Sequence, residues 1–99
     1  MDYKILRAIA NPNRLLVMEW LKDPASHFPP QVDGDLVKDG VCGQFIADKL
    51  NVAPATVSAH LKLLVDAGLL EPKKIKQWVF YKRNERRIRE FKKILNKDL

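Results

Sequence analysis

Residues 45–65, Phe45-Ile46-Ala47-Asp48-Lys49-Leu50-Asn51-Val52-Ala53-Pro54-Ala55-Thr56-Val57-Ser58-Ala59-His60-Leu61-Lys62-Leu63-Leu64-Val65, decide the fold. Phe45, Ile46 and Leu50 recur at helical spacing, which predicts a helix of about ten residues starting near Val41. Asn51-Val52-Ala53 interrupts it, and Asn tolerates the positive φ that a tight turn demands. Pro54 then opens a second helix, since the N–H it lacks would be unpaired at a first helical position anyway. Val57, Leu61, Leu64 and Val65 form one apolar stripe along this second helix. It runs to Gly68, a residue suited to the left-handed position after a helix, with Leu69 next as its apolar partner. Two helices joined by a short turn make a helix-turn-helix over residues 42–67, with Ala47 small where the helices must approach.

Opposite the apolar stripe the second helix carries Ala55, Thr56, Ala59 and Lys62, with Ser58 and His60 on the flanks. Such a face can be ordinary solvated surface. It also suits the major groove, where small side chains let the backbone approach, Thr56 and Ser58 can donate to phosphate or a base edge, and Ala55 and Ala59 can touch thymine methyls. Lys62 can reach phosphate or guanine. The next segment of the chain favours the groove. Leu70 to Lys74 and Gln77 to Lys82 read as two strands of a hairpin turning at Ile75-Lys76, and Lys73, Lys74, Lys76 and Gln77 cluster at its tip. A basic hairpin placed there can lie along the adjacent minor groove or its phosphates while the helix occupies the major groove.

Outside this unit the pattern is helical at both ends. Ile5, Leu6 and Ile9 mark a helix over residues 2–10. Asn11-Pro12, a cap residue and a first-turn proline, starts another that runs to about Lys22, with Leu15, Leu16, Trp20 and Leu21 available to a core. The last helix, about Asn84 to Asn96, places Ile88, Phe91, Ile94 and Leu95 on one face. Such a stripe must be buried either on the chain's own core or on a second subunit, and with the one formed by Ile5, Leu6 and Ile9 it is the candidate dimer interface. Between the second and third helices, residues 23–40 hold Pro24, Pro29, Pro30, Gly34 and Gly40, a longer connection than compact domains usually carry. Its acids Asp33, Asp35 and Asp39 fail as a calcium loop, because Val37 stands at the fifth position and no glutamate at the twelfth. The expected architecture is mainly α with a small β-hairpin: a winged helix-turn-helix of about five helices and a two-stranded wing, one domain over residues 1–99.

Composition bounds the function. The chain has 99 residues, 46% of them hydrophobic and 30% charged, the balance of a globular protein. Its formal charge of +6 is unevenly placed, with 11 Lys/Arg against 3 Asp/Glu in residues 73–99 and 7 against 9 in residues 1–72. A dense positive surface attracts nucleic acid by releasing condensed counterions. No apolar run is long enough to span a bilayer and no secretory stretch precedes Ile5, so a cytoplasmic location is expected, with no membrane partner. Two histidines, one cysteine and scattered acids form no nucleophile and base arrangement, no phosphate loop and no paired metal ligands, so the chain is not read as an enzyme and needs no cofactor. The competing reading is a winged-helix module that docks another protein without specific DNA binding.

Leu50-Asn51-Val52-Ala53-Pro54-Ala55-Thr56-Val57-Ser58-Ala59-His60-Leu61-Lys62-Leu63-Leu64, then Ala67-Gly68-Leu69-Leu70 and Trp78-Val79-Phe80-Tyr81, resembles the ArsR family of bacterial winged-helix repressors, as does Ala10-Asn11-Pro12-Asn13-Arg14-Leu15. The resemblance implies a homodimer joined through its first and last helices, bound to double-stranded DNA at an inverted repeat and released by an inducer, here unknown. Many relatives bind metal through a Cys-x-Cys pair where this chain reads Cys42-Gly43-Gln44, and others use ligands on a last helix that here, over residues 84–99, has no histidine. No metal site is therefore expected. Cys42 stays as a candidate redox-sensitive residue, with a small half-buried packing residue as the plainer alternative. Relatives often carry Ser-Gln where this chain has Ala53-Pro54, so a cap hydroxyl and an adenine reader are both missing, and specificity leans on DNA shape and the wing.

Overall fold

The stripe Val57, Leu61 and Leu64 is buried almost completely, and the rest of the chain is arranged around it. In the computed structural model, which describes residues 1–99, the elements are α1 (Tyr3–Ile9), α2 (Pro12–Trp20), a single 3-10 turn (Pro24–Ser26), β1 (Val41–Cys42), α3 (Gly43–Leu50), α4 (Pro54–Asp66), β2 (Leu70–Ile75), β3 (Trp78–Arg83) and α5 (Glu85–Asp98). α4 touches α1, α2, α3 and β2. Ile5 and Ala8 of α1, Val17 and Met18 of α2, Ile46 and Ala47 of α3, and Ile88 and Phe91 of α5 join the same core.

Side chains at the helix ends fix where α1, α2 and α5 begin. Asp2 accepts from the N–H groups of Lys4 and Ile5, Asn11 from those of Asn13 and Arg14, and Asn84 from that of Arg87, which satisfies donors that have no partner within the helix. α3 ends at Asn51 with φ of 56°, the left-handed conformation expected of the turn. α4 ends at Asp66, two residues before Gly68; there the N–H groups of Gly68 and Leu69 bond the carbonyls of Val65 and Leu64, and Gly68 takes φ of 78°.

Four expectations change. The sheet has three strands in the order β1-β3-β2, not two, because Val41 and Cys42 pair antiparallel with Tyr81 and Phe80 before entering α3. The hairpin turns at Lys76-Gln77, with Ile75 opposite Trp78, and Lys76 adopts φ of 56° there. In α2 the buried side chains are Val17 and Met18, followed by Leu21, while Leu15 and Leu16 are exposed; the helix is rotated so that Arg14 and Val17 face α4. Segment 23–40 is held down at both ends. Phe28 is buried against the core, edge-on to Trp20 with ring centroids 6.2 Å apart, and the Lys49 Nζ lies over both rings.

From Gln31 to Gly40 the segment crosses one face of the hairpin as a strap. Gln31 Nε2 donates to the carbonyl of Gly40 at 3.0 Å, and Gln31 Oε1 accepts from the N–H of Cys42 at 2.7 Å. Gly40, at φ of 106°, lies so close to β3 that an added Cβ would stand 2.5 Å from the carbonyl oxygen of Tyr81. Phe80 is buried beneath Gly34 and stands apart from the main core cluster. Anchoring by Phe28 predicts that Phe28→Ala costs about 3 kcal/mol of unfolding free energy, the cost of a large core truncation, where a free surface loop would lose almost nothing. Urea denaturation of both chains measures the difference.

Candidate nucleic-acid interface

With Val57, Leu61 and Leu64 turned inward, helical geometry forces Ala55, Thr56, Ser58, Ala59 and Lys62 outward, and all five are exposed. Pro54, Ala55 and Thr56 form the first turn, where no side chain caps the helix; Pro54 has no N–H and those of Thr56 and Val57 bond the carbonyl of Ala53, so the Ala55 N–H is the one left for an outside acceptor. Lys62 pairs with Asp66 one turn on, at 2.9 Å, an exposed contact of little worth that a phosphate can displace. Leu63 also lies on the exposed side.

His60 belongs to a different contact. It is half-buried, and its Nδ1 lies 2.9 Å from Arg14 Nη1. A guanidinium only donates, so Nδ1 accepts and the ring proton sits on Nε2. The same Arg14 donates through Nε to the carbonyl of Ala8 at 2.5 Å and through Nη2 to that of Arg7 at 3.4 Å, closing the carbonyl end of α1. One arginine thus ties α1 and α2 to the flank of α4. Burial, then the nearby Arg14 charge, holds His60 below the ordinary 6.5, so it presents a neutral ring at neutral pH. Sequence reasoning missed the role of Arg14, because nothing in a lone arginine marks which carbonyls it will close.

The wing stands beside the head of α4. A cleft of about 260 Å³ between them is lined by Pro54, Ser58, Gln77 and Val79 among others, which brings Gln77 and Ser58 to one place. Alternation along β2 and β3 sorts the other wing residues. Lys74 opposes Val79, on the face shared with Tyr81 and the cleft, and has no ion-pair partner. Lys73 opposes Phe80 on the strap face, where its Nζ meets Asp39 Oδ1 at 2.5 Å. Lys76, at the tip, reaches Asp33 Oδ1 at 3.0 Å. Lys82 Nζ donates to the carbonyl of Lys38 at 3.3 Å.

Cys42 is half-buried at the N-cap of α3, its backbone N–H bound to Gln31. The His, Cys, Asp and Glu side chains form no group of three that could hold a metal ion. No helix is long and apolar enough to cross a membrane.

The expected interface set divides. Ile5, Ile88 and Phe91 are taken up by the core of this same chain, in one buried cluster with Val57, Leu61 and Leu64 of α4. Arg87 also bonds Asp2, tying α5 to the cap of α1. Leu6, Ile9 and Leu95 are half-buried, Ile94 is 38% exposed and Tyr3 is 72% exposed. Beyond Phe91 only Leu95 still packs against the core, and the side of the last turns of α5 that carries Ile94 is left uncovered.

A family model described as a helix-turn-helix domain matches residues 46–73, the span from α3 through α4 into β2. The chain is similar to YbzH, an uncharacterised HTH-type transcriptional regulator of Bacillus subtilis, at 38% identity over 85 residues, covering 86% of this chain and 85% of the relative. A second uncharacterised HTH-type transcriptional regulator, of Methanocaldococcus jannaschii, is 27% identical over 93 residues, 94% of this chain and 89% of its own. Among solved structures, an ArsR family transcriptional regulator, RHA00566, superimposes with a TM-score of 0.71 at 16% identity, over 97% of this chain and 84% of the other. HlyU from Vibrio cholerae does so at 0.65 and 22%, over 96% and 87%. At such identities the likeness is one of fold.

The His60 contact gives a signed pH dependence. Just below pH 6.5 the unfolded chain takes up a proton that the folded chain refuses, so this contribution to stability is present above 6.5 and is lost as pH falls through the lowered folded value. Urea midpoints across this window should fall less steeply for His60→Gln than for the parent. A His60 ring that titrates at or above 6.5 by NMR would contradict the assignment.

Proposed function

The chain belongs to the HTH-type transcription regulators and carries the ArsR winged-helix fold, and from that premise we propose that it is a repressor working as a homodimer on an inverted-repeat operator. The observation that carries the reading is the division of α4: one face fully consumed by the core, the other exposed, small at its N-terminal end and flanked by the cleft and the wing. A recognition helix must enter the major groove with that end foremost. Thr56 and Ser58 are its polar readers, Ala55 and Ala59 its apolar contacts, and Lys62 its reach to phosphate or guanine. His60, neutral and held by Arg14, offers an Nε2–H donor at the flank. Gln77 and Lys74 contact the backbone from the wing.

In the dimer, the uncovered side of α5 around Ile94 and the half-buried Leu95 meets the outer surface of α1 around Tyr3, Leu6 and Ile9 of a second copy. Two-fold symmetry then sets the two α4 helices about 34 Å apart, one turn of DNA. Release by an inducer completes the cycle.

Two substitutions separate reading from gripping. Lys74→Ala is expected to weaken binding to every duplex alike and to reduce the salt slope by about one, whereas Thr56→Val changes sequence preference with little effect on that slope. Fluorescence anisotropy on specific and random duplexes measures both. Ile94→Asp places a charge in the proposed interface without touching the buried part of α5. Sedimentation should show a monomer with unchanged helix content, and an undisturbed dimer would refute the interface.

A further inference from the structure

The strap meets the wing with carboxylates where DNA would meet it with phosphates. Asp39 holds Lys73 and Asp33 holds Lys76, while Lys74, on the other face of the same strand, is unpaired. The acids are not free to leave. Gln31 fixes the strap to Gly40 and Cys42, Gly40 abuts the backbone of Tyr81, and Phe80 is buried under Gly34. Asp39 is further fixed by the N–H of Asp35 at 2.8 Å, which, ahead of Lys73, holds its carboxyl below the usual range. Asp33 makes no bond except the one to Lys76.

We propose that Asp33 and Asp39 are affinity-determining residues of the DNA interface, built-in competitors that hold Lys76 and Lys73 against DNA phosphates. This rests on the reading of the wing as a DNA contact. The exchange has a specific electrostatic signature. When a free lysine binds a phosphate, DNA loses a condensed cation and affinity falls with salt. When Lys76 leaves Asp33 for a phosphate, the DNA still releases its condensed cation, because a lone surface carboxylate has too little charge density to condense one in exchange, but the broken ion pair is subtracted from the gain. The exchange lowers affinity while leaving the salt slope close to that of a free lysine. Two of the three tip lysines therefore add less to non-specific grip than the unpaired Lys74 does.

The test is a double-mutant cycle read by anisotropy on a random-sequence duplex across a salt series, using the full chain. Asp33→Asn should raise affinity about two- to fivefold, the worth of one exposed pair, with much less change in the salt slope than the loss of a phosphate contact would cause. In a Lys76→Ala background, Asp33→Asn should do nothing. Asp39→Asn should act in the same way through Lys73, with thermal melting checked because Asp39 also secures Asp35. An Asp33→Asn gain that persists in the Lys76→Ala background would mean a general charge effect and would overturn the proposal. So would no gain while Lys74→Ala still weakens binding. If Lys74→Ala, Lys73→Ala and Lys76→Ala all leave binding unchanged, the wing reading itself has failed and the proposal falls with it.

Discussion

Everything in this molecule depends on burying one side of α4. Val57, Leu61 and Leu64 have to leave water, and a chain of 99 residues has few elements with which to cover them. α1, α2, α3 and β2 all pack against α4. This constraint sets the orientation of α4 with little freedom. The small polar face opposite is exposed as a geometric consequence of the buried one, and the wing begins within four residues of the end of the helix, so it too is positioned by the same packing.

Much of this was legible in the sequence because it is written in local terms. Periodicity located α3, α4 and α5; Asn11-Pro12, Asn51 and Gly68-Leu69 each announce a helix end by their own stereochemistry, and the structure uses all three that way. What was not legible is long-range. The third strand is two residues long, too short for an alternation pattern, and exists only because Gly40 lets the chain lie against Tyr81. Leu15 and Leu16 looked as apolar as Val17 and Met18, and only the position of α4 decides which pair is buried. The stripe of α5 ran correctly along one face, but the sequence could not say that Ile88 and Phe91 would be spent within the protomer and Ile94 left outside.

The site shows the same division. Residue types marked the outer face of α4 and the basic hairpin, yet no pattern tells that Asp39 faces Lys73 across 34 positions, or that Arg14 reaches His60 across 46. These two contacts change the chemistry most. One converts a formal cluster of wing lysines into a partly neutralised surface, so the net charge of +6 overstates the positive potential there. The other makes His60 a fixed neutral group and joins the α1 and α2 corner to the DNA-facing helix. A movement of α1 or α2 would be felt at α4 through Arg14.

Recovery of bound sequences from a pool of random DNA duplexes, using the full chain, tests directly whether α4 reads DNA as one half of a symmetric pair. The expected outcome is enrichment of a two-fold symmetric sequence whose half-site centres lie about one helical turn apart. A recovered pool with no shared motif, held by charge and released uniformly as salt rises, would contradict it.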